Sequence, residues 1–152
     1  MRKGLTLIEI TIVIALMGIL VATYFLAANP GGQLAASRNT QRSFELQAIM
    51  NAVRQNIADS PTGQFQCVPA GTLPTSTKRM MSGGGVGTYD IASCLVPTYI
   101  LVLPFDPSAP GAHYAAASDY DTGFSISINA STSVVTISAP YAELGKTISV
   151  SR

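Results

Sequence analysis

The sequence predicts an α+β fold: a long N-terminal α-helix, hydrophobic in its first half and amphipathic in its second, packed against a small antiparallel β-sheet. Three observations predict it. An apolar run of 24 residues extends from Leu5 to Ala28. Beyond it, Leu46, Ile49, Met50, Val53 and Ile57 recur on one face at helical spacing. Later in the chain, Phe124, Ile126 and Ile128 alternate with Ser125, Ser127 and Asn129, the period-two pattern of a half-buried strand. A chain of 152 residues holds one compact domain beside the apolar run. It reads as four segments: 1–4, a short cationic leader; 5–28, the hydrophobic helix; 29–59, the amphipathic continuation; and 60–152, a globular head.

The apolar run is long enough to cross a bilayer. As a helix it would extend about 36 Å at about 1.5 Å per residue. Arg2 and Lys3 precede it, which favours a cytoplasmic N-terminus. A secretory signal peptide would show a shorter apolar stretch followed by a small-residue cleavage site. Here the conspicuous small residue, Gly4, stands before the run. A cut after Gly4 would remove the cationic stub and keep the helix.

The run holds a single side chain that is charged at neutral pH, Glu9. A charge deep in a span costs about 2.5–3.5 kcal/mol, but near a helix start the positive end of the dipole favours an acid. A second reading gives Glu9 a partner from another chain. Cleavage between Gly4 and Leu5 would create an α-amino group on Leu5, and the carboxylate of one subunit could pair with that amine in the next. Such a pair sets register more than it adds stability.

Gly4 followed by Leu5-Thr6-Leu7-Ile8-Glu9 and a long apolar helix resembles the class III signal of type IV pilins and type II secretion pseudopilins. The resemblance covers about the first 28 residues. It implies cleavage by a prepilin peptidase after Gly4, N-methylation of Leu5 (where the family usually has Phe), and an assembly role for Glu9, the fifth mature residue. It implies precursors in the inner (cytoplasmic) membrane, an inner-membrane assembly platform as partner, and an extracellular or periplasmic filament of identical subunits. Adhesion, motility and DNA uptake are functions such filaments serve, and the pseudopilin of a secretion or DNA-uptake system is the alternative to a pilus subunit.

Composition agrees with close packing of many copies. Only 11% of residues are charged, against about 25% in ordinary soluble domains. Net charge is +1, so no basic footprint points to nucleic acid.

Asn29-Pro30-Gly31-Gly32 predicts a break or local melting in the helix. The amphipathic segment then runs to Asp59, with Arg38, Arg42, Glu45 and Arg54 mostly off its apolar stripe. Ser60-Pro61-Thr62-Gly63 stops it. From there to about Pro97 the chain reads as loop, including Pro69 and the stretch Ser82-Gly83-Gly84-Gly85-Val86-Gly87, with a short helix or turn over Tyr89–Cys94. That stretch lacks the Lys-Ser/Thr of a phosphate loop. Cys67 and Cys94, with 26 residues between them, lack metal-ligand spacing and suggest a disulfide in an exported domain.

Leu103-Pro104-Phe105-Asp106-Pro107 is similar to a motif of small pilins and pseudopilins; its prolines fix the chain direction and Asp106 is placed to bond nearby backbone N–H groups. Strands are expected at His113–Ala117, Gly123–Asn129, Val134–Ser138 and Thr147–Val150, the second and third as an antiparallel hairpin.

Nothing in the chain assembles catalytic chemistry, and no enzyme is expected. His113 is the only histidine and has no nucleophile-and-acid grouping around it. No cofactor is expected. Calcium is the alternative for Asp106, Asp119 and Asp121, although Ser118-Asp119-Tyr120-Asp121-Thr122-Gly123 reads first as a turn. Asn129-Ala130-Ser131 fits the short glycosylation pattern, one that chance supplies often.

Overall fold

The computed structural model describes residues 4–68 and 70–152. Met1, Arg2 and Lys3 of the expected leader, and Pro69, lie outside the described residues. The chain divides into two compact units, 1–35 and 36–152.

In the first unit, α1 (Leu7–Ala28) carries Leu, Ile, Val and Phe all around, and none of its side chains is buried. It is long and apolar enough to span a membrane. It ends at Asn29, which adopts the left-handed conformation (φ 38°, ψ 63°), one that asparagine tolerates better than most residues. The next helix, α2 (Pro30–Asp59), begins at once. Proline suits a first helical position, where no N–H is required. Asn29 Oδ1 accepts from the Gly32 N–H at 3.3 Å, and Gln33 Nε2 donates to the Ala28 carbonyl at 2.6 Å. The expected break is therefore confined to Asn29, and Gly31 and Gly32 are helical rather than melted, because these bonds satisfy backbone groups that the break frees.

In the second unit, α2 from Ala36 onward buries Leu46, Ile49, Met50 and Val53 completely. They meet Met80, Ile91, Leu95, Leu103, Phe124, Ile126 and Ile137 in one core. The sheet contains β1 (Lys78–Met81), β2 (Thr88–Tyr89), β3 (His113–Ala116), β4 (Asp119–Ile128), β5 (Val135–Ala139) and β6 (Ile148–Ser151), with a short helix α3 (Ala92–Leu95) between β2 and β3. Strand order is β2-β1-β4-β5-β6, and β3 also pairs with β4. The fold is α+β, and the sheet is mixed but mostly antiparallel. The expected hairpin is β4–β5, with Ile126 opposite Ile137.

Three differences from the sequence reading have physical causes. The segment read as loop from Ser60 to Pro97 contains β1 and β2. Lys78-Arg79-Met80-Met81 has no strand signature of its own, and pairing with β4 supplies one. β1 and β2 run parallel across a short connection, Arg79 opposite Thr88, which Gly83, Gly84 and Gly87 allow by taking φ of 83°, 38° and 82°. Finally, β4 begins at Asp119 rather than Gly123. The expected Asp119–Gly123 turn is instead strand with register shifts on both neighbours, where Asp121 Oδ1 accepts from the Gly123 N–H at 2.9 Å.

Candidate functional site

Gly4, Leu5 and Thr6 precede the first helix. Among the described residues, no atom beyond its chain neighbours lies within 4 Å of where a Cβ on Gly4 would stand, and Leu5 is 76% exposed. The Gly4–Leu5 bond thus lies in an open, non-helical segment of the kind a protease requires.

Thr6 is the N-cap of α1. Its Oγ1 accepts from the Glu9 N–H at 3.3 Å, and Glu9 Oε2 accepts in return from the Thr6 N–H and the Thr6 hydroxyl, both at 2.8 Å. This reciprocal pair is a capping box, which satisfies backbone donors that a helix start leaves unpaired. Sequence reading placed Glu9 in the favourable first turn but missed that Thr6 closes the box; threonine three residues before an acid was the available signal. Glu9 Oε1 accepts no hydrogen bond from the described residues, so one oxygen of the carboxylate is left outside the capping box. Leu5 N is here an amide bonded to Gly4 and carries no charge.

In the head, the densest polar constellation is one the sequence did not disclose. Arg42, expected off the apolar stripe, is fully buried. It stands four residues before Leu46 and seven before Ile49, which puts it on the buried face. Its Nε and Nη2 donate to Asp106 Oδ2 and Oδ1 at 2.7 and 3.0 Å. Asp106 Oδ1 also accepts from the N–H groups of Ser108 and Ala109 at 2.8 and 3.0 Å. Arg42 Nη1 reaches Asn39 Oδ1 at 2.7 Å and Glu143 Oε2 at 3.0 Å. Arg38 grips Glu143 through Nε and Nη2 at 2.7 and 2.6 Å, and Asn39 exchanges two hydrogen bonds with the Glu143 backbone. Arg38, then Arg42, hold the Glu143 carboxyl down to about 2. Beside them, burial raises the Glu45 pKa, and its Oε2 finds no partner.

The three aspartates named as calcium candidates are not brought together. Asp106 is spent on Arg42. Asp121 binds Arg79 Nε at 2.7 Å, and Asp119 faces His113 Nε2 at 3.2 Å. Among the described residues no group of three or more acids, histidines or cysteines is placed to hold a metal ion. His113 is exposed; the Gly111 carbonyl and Asp119 raise its pKa. Tyr120 is buried, its hydroxyl donating to Asp90 Oδ1 at 2.9 Å and accepting from the N–H groups of Ile91 and Ala92; burial pushes its pKa up. Cys67 and Cys94 are joined by a disulfide, their Cα atoms 5.2 Å apart. Asn129 Oδ1 accepts from the N–H groups of Ser131 and Thr132, tying the β4–β5 turn.

No protein-family model, curated protein or solved structure matches the chain.

Proposed function

We propose that the chain is a structural subunit of a type IV pilus-like filament, processed by a prepilin peptidase between Gly4 and Leu5 and assembled through its N-terminal helix. The observation that carries this reading is the N-terminal sequence together with its geometry: an open Gly4–Leu5 junction, then a capped apolar helix whose only acid keeps one oxygen unspent. An exposed apolar surface of this size needs lipid or other protein around it. Before assembly the membrane supplies that cover, and in the filament the helices of identical subunits supply it. Non-closing, head-to-tail contacts between identical subunits generate a helical filament. The role is structural, not enzymatic, and the inner-membrane assembly platform is the machine that would extract each subunit from the bilayer.

The capping box sharpens the test. Glu9→Leu would remove both the cap and the charge. Glu9→Gln keeps a side chain suited to the box and removes only the charge. The expected result is that Glu9→Gln chains insert in the membrane and are cut after Gly4, with Leu5 methylated by mass analysis, yet give few or no filaments by electron microscopy. Abundant normal filaments from Glu9→Gln chains would overturn the pairing role, and an uncut mature N-terminus in the wild type would overturn the subunit reading altogether. A pseudopilin of a type II secretion or DNA-uptake system shares the same processing; short periplasmic assemblies in place of surface fibres would mark it.

A further inference from the structure

Five arginines lie among the described residues. Arg38, Arg42 and Arg79 are engaged by carboxylates. The other two, Arg54 and Arg152, form no ion pair or side-chain hydrogen bond with any described residue, and both line the same cavity of the head, about 670 Å³ in volume. It lies where the end of α2, residues 63–65 and 72–75, and the β4–β5 turn converge. No acidic side chain lines it among the described residues. Two guanidinium groups with no acidic side chain of the described residues in ion-pair reach, on one concave surface, make a local field that favours an anion.

The rest of the lining narrows the ligand. Thr72, Thr75, Thr132, Ser133 and Gln64 also line this cavity, and none of their side-chain polar groups is bonded to a described residue. Ile57, Phe65 and Leu73 supply apolar wall. The backbone of the β4–β5 turn and of the strand ends beside it, by contrast, is largely paired. The N–H groups of Ile128, Asn129 and Ser133 donate to Pro74, Val134 and Asn129, and Val135 and Arg152 exchange both of theirs. An extended peptide that adds to a sheet needs free main-chain groups, and the sheet side of this groove has few to offer. Hydroxyl and amide donors, apolar wall and two cations match a polyhydroxylated ring that carries carboxylates. The volume is that of a ligand site larger than a single sugar.

We propose that this groove is a binding site for an acidic saccharide, with Arg54 and Arg152 receiving its carboxylates and the hydroxyls and Gln64 its ring oxygens. The site is independent of the filament reading.

The test is calorimetric titration of the full chain, held in a detergent without a sugar headgroup, with tetragalacturonate, its neutral methyl ester and tetraglutamate. Tetragalacturonate is expected to bind saturably, and the ester at least about tenfold more weakly. Arg54→Gln and Arg152→Gln are each expected to weaken binding about three- to tenfold, with the double substitution abolishing it. Lys146→Gln, an exposed cation elsewhere on the head, is expected to leave binding unchanged. Circular dichroism checks the fold, and should Arg54→Gln disturb it, Arg152→Gln decides by the same threshold. The proposal is overturned by no saturable binding up to about 10 mM, weaker than any specific site of this size warrants. Equal binding of the ester, equal or tighter binding of tetraglutamate, or indifference to the arginine substitutions would each overturn it too.

Discussion

Arg42 and Asp106, 64 residues apart in sequence, form a two-pronged ion pair in which neither side chain is exposed to solvent. The pair fastens α2 to the Leu103–Pro107 loop, which leads into the sheet. A buried pair of this kind does little for net stability against an apolar replacement, but breaking it from one side strands a charge. Asp106→Asn retains an acceptor for the Ser108 and Ala109 N–H groups and removes the countercharge of Arg42. The expected cost is about 3–5 kcal/mol, read as a lowered urea midpoint for the head of the full chain in detergent. A cost under about 1 kcal/mol would mean that Glu143 alone neutralises Arg42.

The same cluster sets the response of the head to acid. Glu143 titrates at about 2 because Arg38 and Arg42 favour its charged form, against an ordinary value of 4.5. Its folded value is the lower, so its contribution is fully present above about pH 4.5 and is lost as pH falls toward about 2. Thermal midpoints of wild type and Glu143→Gln should therefore differ at pH 6 and converge between those two values. A gap that stays constant down to pH 2 would assign the effect to shape, not charge.

Glu45 works in the opposite direction. Burial raises its pKa, and its Oε2 has no donor. Its folded value is the higher, so its ionisation weakens the fold as pH rises through and above the ordinary carboxylate range. Glu45→Gln is expected to stabilise the head on the order of 0.5–1 kcal/mol at pH 7, and to lose that advantage in acid, as followed by melting curves. Destabilisation at pH 7 would show that the free oxygen has a partner in solution.

Much of this molecule is legible in its sequence because the signals are local. The apolar run, the stripe from Leu46 to Ile57 and the alternation from Phe124 to Ile128 each announce one element, and each forms. Asn29-Pro30 announces a break, although the sequence could not say that a proline at the first position of α2 would let the helix resume after one residue. What was not legible depends on partners distant in sequence. β1 has no pattern of its own and exists through β4. Arg42 is expected mostly off the apolar stripe, whereas its spacing from Leu46 and Ile49 puts it on the buried face. At the N-terminal site, Glu9 was legible as the one acid in the run, while its bond to Thr6 required the helix start to be placed to the residue.

Two cysteines close the 63–97 region on itself. The disulfide joins positions 27 apart and anchors α3 beside Cys67, whose side chain is in the core. The chain-entropy account gives such a loop about 3.5 kcal/mol. The double replacement Cys67→Ala with Cys94→Ala should lower stability by about 2–4 kcal/mol, with the loss concentrated in faster hydrogen exchange of residues 63–97. Unchanged exchange there would show that packing of Leu95 and Ile91 holds the segment without the bond.

Gly123 is a point of close approach between β4 and the Asp106 loop. Its φ is 72°, and a Cβ added there would stand 2.8 Å from Ala109 Cβ and 3.0 Å from Asp106 Cβ. Neither neighbour is the end of a flexible chain. Ala109 is held by its N–H bond to Asp106 Oδ1, and Asp106 is held by Arg42 and by its own N–H bond to the Thr122 carbonyl at 2.8 Å. Relief must therefore come from moving the loop away from the strand, which also pulls on the ion pair. Gly123→Ala combines left-handed strain with this clash, and about 2–4 kcal/mol is the expected cost. In the Asp106→Asn background the loop is already loosened, so the same substitution should cost less than it does alone, a coupling that a double-mutant cycle in urea measures directly. Strict additivity of the two losses would separate the glycine from the Arg42 cluster and confine its effect to the bulge in β4.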